Sequence, residues 1–152
     1  MAVSSSSPAV AARCAHAKAG VGVVASQNIT DPRLGPKTLL AMAEGHSAPE
    51  AVKMIINAAE NADFRQVLAV DATGNTAIYS GSKSLDIHAD FASQNAAAAG
   101  NLLANPNIPK VMVTAFHQGT GHLGDRLIDA MRVALALGGE AGALRSAGLL
   151  LV

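Results

Sequence analysis

Strand-forming and helix-forming stretches follow one another in blocks along this chain, and that order restricts the fold more than any other feature. Residues 20–26 read Gly-Val-Gly-Val-Val-Ala-Ser, a β-branched, uncharged run expected to form a buried strand that stops at Gln27-Asn28. Ahead of it, a first strand is expected from Ala2 into the serine run 4–7, interrupted by Pro8; residues 9–19 fit a strand or a loop. Asp31-Pro32 then opens a helix that Gly45 closes, with Asp31 placed to cap the first amides. Ser47 and Glu50 have the spacing of a capping box, and Val52, Ile55, Ile56 and Ala59 fall on one face of the helix that follows. Residues 65–71 and 76–80 form a hairpin around residues 72–75, and residues 84–91 read as a further strand. Ile108, Val111, Met112 and Ala115 mark one more helix; Leu123, Leu127, Ile128, Met131 and Leu135 mark another, stopped by Gly138-Gly139. Residues 149–152 look like the start of a buried strand. Blocks of strands alternating with blocks of helices predict helices packed on an antiparallel or mixed sheet, not a βαβ repeat.

Composition narrows what that fold can do. Half of the 152 residues are apolar and 14% are charged, which excludes a disordered chain. Aromatic residues make up only 3%, so the core is built from Ala, Val, Leu, Ile and Met, whose small side chains let layers approach closely. The formal net charge is zero and the basic residues are scattered, which argues against nucleic acid as a partner. No apolar run reaches the roughly 20 residues needed to span a bilayer, so no membrane partner is expected. The first 20 residues lack the pattern of a signal peptide, and the expected location is cytoplasmic. Cys14 is expected to be a buried small hydrophobe. The five histidines sit in no metal-ligand spacing, so neither a metal nor another cofactor is expected, and His117 and His122 read as solvated loop residues. Gly20-Val21-Gly22 follows no expected strand and does not continue as a dinucleotide fingerprint.

The polar residues that remain stand where strands end. Ser26, Gln27 and Asn28 close one strand directly before a helix; such a junction can stabilise an oxyanion or can simply satisfy its own turn. Asn101, after Gly100, is either a second such group or a left-handed turn residue. Arg65 begins a strand after an acidic helix end and suggests a salt bridge, and Ser146 lies near the last strand.

Several of these segments, in collinear order over nearly the whole chain, resemble the DUF1028 group. They are residues 2–5, 19–28 and 31–36, Arg65-Gln66-Val67, Val70-Asp71 with Gly74, residues 100–104, Gly138-Gly139-Glu140 and residues 145–148. That group is similar to N-terminal-nucleophile (Ntn) hydrolases. The resemblance implies an α+β, αββα sandwich of two stacked antiparallel sheets between helical layers, present as one domain over residues 1–152. It also implies hydrolysis of a small-molecule amide, such as an acylated amino acid or a cyclic amide, by a Thr, Ser or Cys whose own α-amine is the base. On that analogy Asn28 and Asn101 stabilise the oxyanion, and Ser4, Ser5, Ser26, Gln27, Arg65 and Ser146 line the pocket. Relatives begin with an additional strand carrying the nucleophile and continue beyond residue 152, so the expectation is a chain lacking both ends. Met1 and Ala2 carry no nucleophile, and the serines at 4–7 are internal. Two alternatives from another class are a non-catalytic binding or assembly protein and a pseudo-enzyme that keeps the fold; some relatives carry a fimbrial-assembly label. Ala-rich helices and open sheet edges also predict a homo-oligomer.

Overall fold

The computed structural model of the protein describes residues 1–9 and 11–152. In chain order its elements are β1 (Ala2–Ser5), α1 (Ala11–Cys14), β2 (Ala15–Lys18), β3 (Gly22–Gln27), α2 (Leu34–Ala43), α3 (Ala48–Asn57), β4 (Gln66–Asp71), β5 (Thr76–Ser80), β6 (Ala89–Ser93), β7 (Ala96–Gly100), α4 (Ile108–Gln118), α5 (Leu123–Ala136) and β8 (Ser146–Leu149). Four strands form one sheet in the order β2-β3-β4-β5, β6 pairs with β7, and β1 pairs with β8; every pairing is antiparallel. Helices α2 and α3 cover one face of the four-stranded sheet, and the β6–β7 hairpin packs on its other face. Helix α4 lies on β6 and β7, with α5 beside it and against β1. This is an α+β sandwich, two antiparallel layers held between helical layers.

Strand alternation sorts the side chains between layers. On β3, Val24 and Ser26 are fully buried on the helix side, where Val24 packs with Leu34, Met42, Val52, Ile56 and Val67. Val23, Ala25 and Gln27 face the second layer. Helix α3 starts as its sequence predicts: the Glu50 carboxylate accepts from the Ser47 amide at 2.8 Å and from its hydroxyl at 2.7 Å. Close approach is visible at Gly22, with φ of +150°, where an added Cβ would lie 2.4 Å from the Val70 carbonyl oxygen.

Several expectations change in the structure. Residues 11–18 hold the single helical turn α1 and the strand β2, so Gly20 and Val21 belong to the turn of a β-hairpin and Gly22 opens β3. Helix α2 begins at Leu34, yet Asp31 still caps its approach by accepting the Arg33 amide at 3.0 Å. Hydrogen bonds from the Arg33 guanidinium hold the Asp31 carboxyl down at about 2. The strand expected over residues 84–91 begins only at Ala89, because Ser84 turns back onto Gly81 and Asp86 takes a left-handed φ of 51°. Its partner is the alanine run of β7, a helix-former by propensity. Here Ala96 and Ala98 are buried against Val113, and packing overrides that weak preference. On α5 the buried residues are Gly124, Ala130 and Ala134, while Leu123, Ile128 and Leu135 of the expected apolar face are 48%, 40% and 61% exposed. The small residues bring α5 close to its neighbours and leave the large ones at the rims of openings. Strand β8 is likewise not a buried strand: it lies on the outer side of β1, with Leu149 44% exposed.

Asp71, at the end of β4, fastens α3 to the β4–β5 hairpin. Its carboxylate accepts from the amides of Ala48, Thr73 and Asn75 and from the Thr73 hydroxyl and the Asn75 side chain. Burial pushes its pKa up, but these hydrogen bonds outweigh burial and hold it at about 2. A depressed folded-state pKa adds stability above the unfolded carboxylate value of about 3.9, and that stability is lost as pH falls toward the folded value. Asp71→Ala is expected to cost about 1–3 kcal/mol in urea unfolding at pH 7. It should also flatten the loss of stability between about pH 4 and pH 2. An unchanged acid slope would show that Asp71 is not the group responsible.

Candidate functional site

Between the two sheets lies a cavity of about 580 Å³. Its floor is the inward face of β3 and β4, its walls include β1, β7 and the segment 100–103, and its roof is α4 and α5. Most of the lining is apolar. The polar end is built by a row of side chains across the first sheet. Gln27, Gln66 and Ser80 stand directly opposite one another on β3, β4 and β5.

Gln66 is fully buried, and all of its hydrogen-bonding capacity is used. Its Oε1 accepts from Gln27 Nε2 at 2.7 Å and from Asn101 Nδ2 at 3.4 Å. Its Nε2 donates to Ser80 Oγ at 2.9 Å and to the Gly100 carbonyl at 3.3 Å. Ser80 Oγ donates in turn to Asp90 Oδ2 at 2.6 Å on β6, and Gln27 Nε2 also reaches the Ala99 carbonyl at 3.2 Å. One buried amide therefore ties the two sheets together and holds two further carboxamides, Gln27 and Asn101, at the cavity wall. A carboxamide offers a donor and an acceptor side by side. That makes this end of the cavity complementary to another amide.

The other sequence-derived candidates separate. Ser4 and Ser5 line the cavity, although Ser5 Oγ accepts from the Ser7 amide at 3.0 Å. Asn28 also borders it, with a left-handed φ of 59°, but its side chain is committed elsewhere. Its Nδ2 donates to the Phe64 carbonyl at 2.7 Å and its Oδ1 accepts the Leu85 amide at 3.0 Å, so Asn28 clamps two loops. Ser26 does not line the cavity: alternation turns it to the helix side, where its hydroxyl donates to the Asp31 carbonyl at 3.1 Å. Arg65 does not line it either and forms no ion pair among the described residues; its guanidinium donates to the backbone carbonyls of Ile29 and Glu60. Ser146 lies on β8, outside the cavity, and its hydroxyl donates to the Ser7 carbonyl at 2.8 Å. The place at the polar end of the cavity that sequence reasoning assigned to Arg65 is taken instead by its neighbour Gln66, at the head of β4. Its signal was a lone amide at the head of the apolar run Val67-Leu68-Ala69-Val70.

The remaining reactive groups have structural surroundings. Cys14 is buried, its thiol lies 3.7 Å from the Ala11 carbonyl, and burial pushes its pKa up. His122 is the N-cap of α5, where its Nδ1 accepts the Gly124 amide, and His117 pairs with Ser93 Oγ at 2.7 Å at the end of α4. Among the described residues no three His, Cys, Asp or Glu side chains gather to hold a metal ion. No helix of the described residues is long and apolar enough to cross a membrane.

Residues 1–152 match the family model described as a family of unknown function, DUF1028. No curated protein matches the chain. A crystal structure of a protein from Silicibacter pomeroyi, carrying the same DUF1028 family model, is similar over 96% of this chain, with a TM-score of 0.87 and 26% identity. The chain spans 65% of the length of that protein.

Gln66→Leu, close in volume but unable to hydrogen-bond, should remove one hydrogen bond each from Gln27, Ser80, Asn101 and the Gly100 carbonyl. The expected cost is about 1–3 kcal/mol in thermal or urea unfolding, with loss of order at residues 100–101 by hydrogen exchange. Unchanged stability would show that the amide row does not hold the sheets together.

Proposed function

Given that the chain belongs to the DUF1028 family, we propose that the inter-sheet cavity holds a small amide and that the family's reaction is its hydrolysis by an N-terminal nucleophile. The observation that carries this reading is the pair Gln27 and Asn101, presented at the wall of a mostly apolar cavity by the buried Gln66. Apolar walls exclude water and strengthen each polar contact with a bound amide. Asn101 Nδ2 has one hydrogen on Gln66 and a second to offer a carbonyl oxygen as it gains charge, the requirement for oxyanion stabilisation. Asn28 is not part of this proposal, because its side chain is spent on the loops.

A specific observation favours the second reading, binding without turnover. The hydroxyl and thiol side chains that line the cavity are Ser4, Ser5, Ser7, Cys14 and Thr30. None of these hydroxyls or thiols is hydrogen-bonded to a carboxylate or an imidazole among the described residues. An internal serine without an adjacent base is a weak nucleophile.

Intact mass and N-terminal sequencing of the protein from its natural source, followed by a chromogenic amide panel, separate the two readings. A product opening on Thr, Ser or Cys that turns over amides supports hydrolysis. In that form Asn101→Ala is expected to lower kcat by about 10²–10³-fold. Amide binding without turnover in a product that opens on Met1 or Ala2 would sink the hydrolase and leave the binding protein.

A further inference from the structure

The direction of the hydrogen bonds in the amide row is fixed by groups that can only accept. The Asp90 carboxylate has no hydrogen to give, so the Ser80 hydroxyl donates to it and is left to accept from Gln66. The Gly100 carbonyl, also an acceptor alone, takes the other hydrogen of Gln66 Nε2. Gln66 therefore turns its Oε1 toward Gln27 and Asn101, and both must meet it with a nitrogen. At Gln27 the Ala99 carbonyl makes the same demand. Exchanging oxygen and nitrogen in any one of these carboxamides would set acceptor against acceptor.

What is left for a bound molecule follows by subtraction. Both hydrogens of Gln27 Nε2 are spent, on Gln66 and on Ala99. Gln27 has only its Oε1 to offer, an acceptor with no hydrogen-bond partner among the described residues. Asn101 keeps one Nδ2 hydrogen and its Oδ1. Both side chains line the cavity, and both bond the same Gln66 oxygen, which makes them neighbours. The polar end thus presents two acceptors and a single donor, and a molecule bound there must bring at least one N–H with its carbonyl. Every member of the row lies within residues 27–101, on the paired strands β3 to β7 or directly after them.

We propose that Gln27 is a specificity-determining residue: the row reads an amide N–H together with its carbonyl, so the site takes uncharged amides that carry an N–H and rejects tertiary amides and carboxylates. This rests on the reading that the cavity holds a small amide, and it adds which amides. The carbonyl oxygen takes the remaining Asn101 hydrogen, and the N–H donates to Gln27 Oε1. A tertiary amide has no hydrogen for Gln27 and leaves a desolvated acceptor unpaired. A carboxylate has none either, and it brings a negative charge against that oxygen. Arg13 is the only basic side chain in the described lining and takes no part in the row. The acid formed by amide hydrolysis belongs to the rejected class, so the contact that admits the substrate disfavours the product.

The test uses the protein in its full natural length, isotope-labelled for NMR and titrated with hexanamide, N,N-dimethylhexanamide or hexanoate. The side-chain amide signals of Gln27 and Asn101 are followed. Hexanamide is expected to shift both, and the other two compounds to bind at least about tenfold more weakly. Gln27→Met, close in length but a poor acceptor, should bring hexanamide and the dimethyl amide within about twofold of each other. The ranking in the unaltered protein decides even where that variant does not fold. Equal binding of the dimethyl amide, or selectivity that survives in Gln27→Met, would overturn the proposal while leaving an amide in the cavity. Hexanamide that shifts neither side chain, as when another segment of the protein already occupies the row, would overturn the proposal and the reading beneath it. Hexanoate formed from hexanamide is measured in the same samples: selective binding without it would sustain the proposal and count against hydrolysis alone.

Discussion

A carboxamide with no solvent exposure is tolerated in the middle of a sheet only when each of its donors and acceptors is matched, and at Gln66 the partners come from three separate segments. Gln27 and Ser80 flank it within the first sheet, and Gly100 and Asn101 reach it from the end of β7. The bonds to Gly100 and Asn101 form only when the two layers have stacked. The amide therefore acts as a registration device: a slip of β4 by one residue would turn it toward the helices, where Val67 and Ala69 now sit among Val24, Leu39 and Val52. The same bonds set the amide groups of Gln27 and Asn101 against the cavity. Fold specificity and the polar character of the candidate site rest on one side chain.

The shortage of rings sets the other half of the design. With only three phenylalanines, one tyrosine and no tryptophan, the layers meet through alanine, valine and glycine. Close approach follows on the α4 side of β7, where Ala96 and Ala98 meet Val113, and at Gly22 against Val70. Small residues on β7 and β1 line the cavity between the first sheet and helices α4 and α5. On α5, Leu127 and Met131 roof this cavity, while Ile128 and Leu135 stand outside it.

The helices on the first sheet were legible because their signals are local. Ser47 and Glu50 are three residues apart, and Val52 and Ile56 share a face whatever that helix packs against. The strands β3, β4 and β5 were legible for the same reason, through β-branched runs and a turn. Residues 96–99 were not, because alanine carries no strand preference and only the contact with α4 selects the extended form. The candidate site was legible in part. Gln27 and Asn101 were singled out for standing at strand ends, and both reach the cavity. Ser26 stood at the same strand end and points the other way, since one residue of alternation reverses the face. Asn28 and Arg65 were attractive as polar residues near a junction, but loops distant in sequence had already taken their hydrogen bonds.

The sequence by itself determined the alternation of strand blocks with helix blocks, the absence of a ring-built core, the local caps at Ser47 and Asp31, and a set of polar residues at strand ends. Each of these depends on neighbours within a turn or two of the chain. Tertiary structure alone decided that Gln66 is the hub, that β7 exists, and that β1 pairs with β8 and shares a cavity wall with β7. The reason is that a hydrogen bond or a strand edge is defined by its partner. For Gln66 that partner lies as far as 39 residues away at Gln27 and 35 at Asn101, and for β1 it is β8 at the other end of the chain.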